Sequence, residues 1–165
     1  MKDVDDCFNW PFILSQLAES EQDFLVVGGA ALVLHGIPRT TMDIDIFIPS
    51  ESQSIVKIFT LLKDELGLSP QIESIESLVA HPELLCGQWV PFSIPEGPDI
   101  IDVYLCRPGE FYTLQESAEL IELSGSEIYV AHINTLRDMK EKCGRPIDLA
   151  DIALIDEYKA MLEED

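Results

Sequence analysis

The chain has 165 residues, 47% of them apolar and 25% charged, which suits one compact domain with a substantial core. Acidic residues number 31 against 10 basic ones, a formal charge of −21. A surface of that sign repels nucleic-acid backbones and anionic membranes unless its few cations gather in one place.

The longest apolar stretch, Phe24 to Leu34, is too short to span a bilayer and is broken by glycines. The opening Met1-Lys-Asp-Val-Asp-Asp6 lacks the basic and apolar regions of a signal peptide. Cys7, Cys86, Cys106 and Cys143 are widely spaced, with no C-x-x-C pair. These features lead us to expect a cytoplasmic protein with no membrane association and with reduced, mostly buried thiols. His81 near Cys86 lacks the second ligand pair that a metal site would need.

Residues 8–20, apolar at Phe8, Phe12, Ile13 and Leu17 with Pro11 near the start, predict an amphipathic entry helix. Phe24 to Val27 is a short buried strand, followed by Gly28-Gly29. Ala30 to His35 has helix-forming composition and stops at Gly36, before Pro38. Asp43 to Ile48 is a second strand, closed by Pro49. A helix then runs from Ser50-Glu51 to about Leu66, with Gly67 beyond its end. Gln71 to Ile75 reads as a strand, Ser77 to Cys86 as a short irregular helix, and Gln88 to Ile94 as a weak alternation before the Glu96-Gly-Pro98 turn. Asp99 to Leu105 is a clear strand. Glu119 to Leu123 and Glu127 to Val130 form strands around Ser124-Gly-Ser126, and from His132 the pattern is helical, broken at Gly144 and Pro146. The expected architecture is α+β in one domain over 1–165, with a core at about 8–130 and a helical segment at about 132–165.

Two strands carry chemistry. Side chains alternate across a strand, so Asp43 and Asp45 point away from Ile44, Ile46 and Ile48. Asp102 and Tyr104 likewise oppose Ile101, Val103 and Leu105. If both apolar faces meet one core, Asp43, Asp45 and Asp102 share the other face and repel one another unless a cation intervenes. Hard oxygen ligands of this kind suit Mg²⁺ or Mn²⁺, completed by substrate phosphates. Gly28 and Gly29 let the backbone turn sharply and approach a phosphate. Arg39 can reach a triphosphate or pair with a carboxylate. The Thr41 hydroxyl can brace the turn into Asp43. His35 reads as a packed or capping histidine rather than a base.

The stretch Val27-Gly-Gly-Ala-Ala-Leu-Val-Leu-His-Gly-Ile-Pro-Arg39-Thr-Thr-Met-Asp43-Ile-Asp45-Ile-Phe resembles the nucleotidyltransferase superfamily that includes DNA polymerase beta, most closely its minimal and AbiEii-like toxin-type branches. Asp102 in Ile-Ile-Asp-Val-Tyr fits the family's third aspartate, and Lys140 with Gly144-Arg145-Pro-Ile-Asp148-Leu-Ala-Asp151 resembles its helical segment beside the active site. The resemblance implies a small mixed sheet flanked by helices and a two-metal transfer of NMP from an NTP such as ATP. It implies that Asp43 and Asp45 ligate metal and that Asp102 helps bind the catalytic ion and deprotonates the acceptor hydroxyl. Lys140 and Arg145 are its phosphate contacts, with a salt bridge to Asp148 or Asp151 as the alternative. Many active members have Gly-Ser where this chain has Gly28-Gly29.

The leading expectation is transfer of a nucleotide to a hydroxyl on tRNA or a protein, as one half of a toxin-antitoxin pair. The alternatives are a nucleotide-binding module without turnover, and a protein that docks a basic antitoxin through its acidic surface. A homodimer through the apolar middle segment is a further option.

Overall fold

Strict alternation of apolar and polar residues places two strands at the heart of the fold. In the computed structural model, which describes residues 9–72 and 74–164, β2 (Ile44–Pro49) and β5 (Asp99–Cys106) lie side by side and parallel. Ile44, Ile46 and Ile48 pair with Ile101, Val103 and Leu105, and all six are essentially fully buried. Helix α3 (Ser52–Thr60) packs on this face through Ile55, Ile58 and Phe59, with Phe59 edge-on to Phe92 of β4 (Trp89–Ser93) at 5.0 Å. Burial of side chains this large drives folding, at roughly 1.5–3 kcal/mol each.

With β1 (Leu25–Val27), β3 (Ser69–Pro70), β6 (Glu119–Leu123) and β7 (Ser126–Val130), the sheet runs β3-β4-β5-β2-β1-β7-β6. The β1–β7 and β2–β5 ladders are parallel and the others antiparallel. The result is a mixed α+β domain. Helix α1 (Trp10–Glu19) buries Ile13, Leu14 and Leu17, as its spacing predicts. Phe8 of the expected entry helix and Cys7 lie outside the described residues.

The C-terminal segment is a helical hairpin. Helix α6 (Ile133–Cys143) is capped by His132, whose Nδ1 accepts from the Asn134 amide, and it ends at Gly144 in the left-handed region. Helix α7 (Pro146–Glu163) starts with proline in its first turn and a reciprocal cap between Arg145 and Asp148. The helices run antiparallel, with cross-contacts Lys159–Asn134, Arg137–Asp156 and Lys140–Asp151 at 2.6–2.7 Å.

Several expectations need correction. The strand expected at Gln71–Ile75, of which residue 73 is outside the described residues, is instead the short β3 at Ser69–Pro70. Pairing there stops after two residues because the chain turns away, and α4 (Ile75–Ala80) follows. The helix expected to run unbroken to Leu66 widens to a π-type turn at Leu61–Glu65, which turns Leu61 and Leu62 both inward. Helix α5 (Pro108–Ser117) was not expected at all. It docks through one fully buried side chain, Phe111, so it has no apolar stripe to read.

Phe111 therefore carries the docking of α5. Phe111→Ala should cost about 3 kcal/mol and lower the denaturant midpoint in an equilibrium unfolding curve.

Candidate active site

Register brings the carboxylates together. Asp45 and Asp102 are direct partners across the β2–β5 ladder, and Val27, the residue before the glycine pair, is opposite Asp45 on β1. Asp43 precedes the strand and is exposed. Thr41 braces the entry, as its hydroxyl donates to the Asp43 carbonyl at 2.9 Å.

The pair is electrostatically strained. Burial, then Asp102, then Asp43 push the Asp45 carboxyl up to about 6, against which Lys140 and Arg145 pull it back. Asp102 is also raised, first by burial and then by Asp43 and Asp99. A hydrogen bond with Asp45 offsets part of the rise at Asp102. Among the described residues, no group of three or more His, Cys, Asp or Glu side chains is gathered as a ready-made ion site. The donors nevertheless fit a hard divalent ion, because they are paired carboxylates whose ionised forms repel until a cation neutralises them. Asp43 stands close enough to raise both.

Both glycines are explained by what lies over them. Gly28 has φ of +69°, and a Cβ there would strike the Asp45 carboxylate. A Cβ at Gly29 would collide with the Arg39 guanidinium. The space that a side chain at Gly29 would take is filled by the Arg39 head.

Arg39 does not pair with the D-x-D carboxylates. Its Nε donates to Asp151 at 2.8 Å, and Lys140 Nζ donates to the other Asp151 oxygen at 2.7 Å. Asp151 is 2% exposed. Arg145 holds Asp148 through Nε at 2.7 Å, and that bond keeps the Asp148 carboxyl below its ordinary range. The salt-bridge alternative for Lys140 and Arg145 is thus the arrangement present. His35 is packed: its Nε2 lies 2.9 Å from the Ala131 carbonyl, and its Nδ1 lies 3.6 Å from Glu119.

Of these groups Gly28, Asp45, Lys140, Arg145 and Asp148 line a cleft of about 560 Å³ between the sheet and α6. Lys140 and Arg145 lie in its wall with Asp45, alongside the aromatic residues Phe47, Trp89 and Tyr104. Cys143, expected to be buried, is exposed and also lines the cleft. Cys106 is buried as expected, and its thiol is pushed up to about 12, chiefly by burial. The aromatic residues escaped the sequence reading, although the two-residue period puts Phe47 and Tyr104 beside Asp45 and Asp102. Only the pairing of Trp89 with Tyr104 adds the third ring.

Two solved structures share this arrangement of elements. TM1012 of Thermotoga maritima, described as a putative nucleotidyltransferase, superposes with a TM-score of 0.55 at 18% identity, over 93% of this chain and 89% of its own. An antigenic nucleotidyltransferase-like protein from Paracoccidioides brasiliensis does so at 0.53 and 15%, over 92% and 75%. The chain has a nucleotidyltransferase fold. No protein-family model matches it, and no curated protein matches it in sequence. Among the described residues of this nucleotidyltransferase fold, no helix is long and apolar enough to cross a membrane.

Two measurements test this geometry. Because the Asp45 carboxyl is raised to about 6, its ionised form dominates only above that pH, and a divalent ion selects the ionised form. Calorimetric Mn²⁺ affinity should be nearly flat above about pH 7 and fall roughly tenfold per unit below about 6. Gly29→Ser should displace the Arg39 head and break its bond to Asp151, leaving a buried charge short of a partner. We expect a loss of about 2 kcal/mol in unfolding free energy, absent when Arg39 is already alanine.

Proposed function

We propose that the chain is a Mg²⁺- or Mn²⁺-dependent nucleotidyltransferase that moves NMP from an NTP to an acceptor hydroxyl. The observation that carries this reading is the Asp45–Asp102 pair across β2 and β5, both carboxyls raised chiefly by burial, with Asp45 lining a cleft that also holds Lys140 and Arg145. Asp43, Asp45 and Asp102 would hold the ion. When bound, the ion supplies neutralisation of the triphosphate and polarisation of the phosphoryl oxygens.

The chain's own groups divide the remaining work. Asp102 accepts the proton of the attacking hydroxyl. Lys140 and Arg145 offer charge to the leaving pyrophosphate, and Arg39 is placed at the glycine turn to do the same. The phosphorus–oxygen bond to pyrophosphate breaks as the bond to the acceptor oxygen forms. In keeping with the toxin-type motif, we assign the acceptor hydroxyl to tRNA or a protein, the compartment to the cytoplasm, and an antitoxin as the natural partner.

A second reading has its own support. Arg39, Lys140 and Arg145 are each already paired with Asp151 or Asp148, which fits a module that binds nucleotide without consuming it. Incubation with Mg²⁺, labelled NTPs and a cell extract separates the two. Transfer predicts a labelled macromolecule with wild type and a drop of at least about a hundredfold with Asp45→Asn. Equal labelling by both proteins would sink the transfer reading, and binding by calorimetry without NTP loss would favour the module.

A further inference from the structure

The cleft continues past the carboxylates onto three aromatic rings that no step above uses. Phe47 lies two residues beyond Asp45 on the same sheet face, Tyr104 two beyond Asp102, and Trp89 is the cross-strand partner of Tyr104. Ring centroids are 4.6 Å apart for Phe47–Tyr104, 4.9 Å for Trp89–Tyr104 and 5.9 Å for Phe47–Trp89. Phe47 is buried beneath the others at 8% exposure, while Trp89 remains 47% exposed. The support is rigid and the top ring is open.

We propose that Trp89 and Tyr104, backed by Phe47, form a stacking site for a nucleobase. The proposal rests on the nucleotidyltransferase reading and adds to it where the base goes. Two residues of strand span about 7 Å, which suits the gap between a phosphate held at Asp45 and Asp102 and the ring system of the same or an adjoining nucleotide. Charge sets the orientation. Lys140 and Arg145 draw phosphates to the polar end, whereas Glu110, which lines the cleft, and Arg107 both lie within electrostatic reach of Tyr104 and oppose each other. No lysine or arginine occurs between Lys63 and Arg107, so neither β4 nor β5 carries one. The aromatic end therefore gives a phosphate no strand cation to hold it, while it gives a flat uncharged ring a face to stack on. The base belongs either to the NTP or to the terminal residue of the acceptor, and both present the same ring face.

Trp10 and Trp89 are the only tryptophans, so Trp10→Phe leaves Trp89 as the sole reporter. With Mg²⁺, a non-hydrolysable ATP analogue should quench Trp89 saturably, and inorganic triphosphate should bind without quenching. Trp89→Ala should weaken the analogue about tenfold and leave triphosphate unchanged, and Trp89→Phe should return it to within about threefold. If the analogue leaves Trp89 unaffected but adenosine added on top quenches it, the site serves the acceptor base. If triphosphate fails to bind while adenosine still quenches, the transfer reading falls and the base site stands. If neither analogue nor adenosine changes Trp89, or Trp89→Ala binds both as tightly as wild type, the stacking site is overturned.

Discussion

The parallel register of β2 on β5 is the constraint on which the rest depends. Six isoleucine, valine and leucine side chains lock it from the core side. A one-residue slip of either strand would turn its three toward the cleft, so the register is strongly held. The same register forces Asp45 against Asp102 on the opposite face, which is unfavourable by itself. The core thus supplies the energy that keeps two carboxylates adjacent, and their raised pKa values record that cost.

Asp151 plays the corresponding part on the helical side. A carboxylate with 2% exposure is tolerable only because Arg39 and Lys140 both donate to it. Arg39 comes from the loop before β2, Lys140 from α6 and Asp151 from α7, so one buried anion joins three separate segments. Gly29 belongs to the same arrangement, since the guanidinium that reaches Asp151 passes through the space a side chain there would fill. The missing serine and the buried ion pair are therefore one structural choice seen from two places.

Much of this was legible in the sequence, and the remainder was hidden for physical reasons. Alternation exposed β2 and β5 because each has one dry face, and Gly144 with Pro146 marked the break between α6 and α7. Helix α5 was not visible because Phe111 alone is buried, and periodicity needs several turns to register. The short β3 was misplaced because a two-residue ladder leaves no pattern. At the site, the aspartates could be assigned to a face by counting, whereas Trp89 joins them only through a pairing between β4 and β5 that sequence spacing does not encode. The partner of Arg39 was likewise invisible, lying 112 residues away on α7.

The distribution of charge bears on how such an acidic chain can handle an anionic substrate. Of its ten basic residues, Lys140 and Arg145 lie within electrostatic reach of Asp45, Lys142 also lines the cleft, and Arg39 is held on Asp151. Elsewhere the negative surface repels long polyanions, with a range limited to about a Debye length in physiological salt. A single triphosphate is short enough to lie wholly within the basic end, while an extended nucleic-acid backbone would have to run across acidic surface.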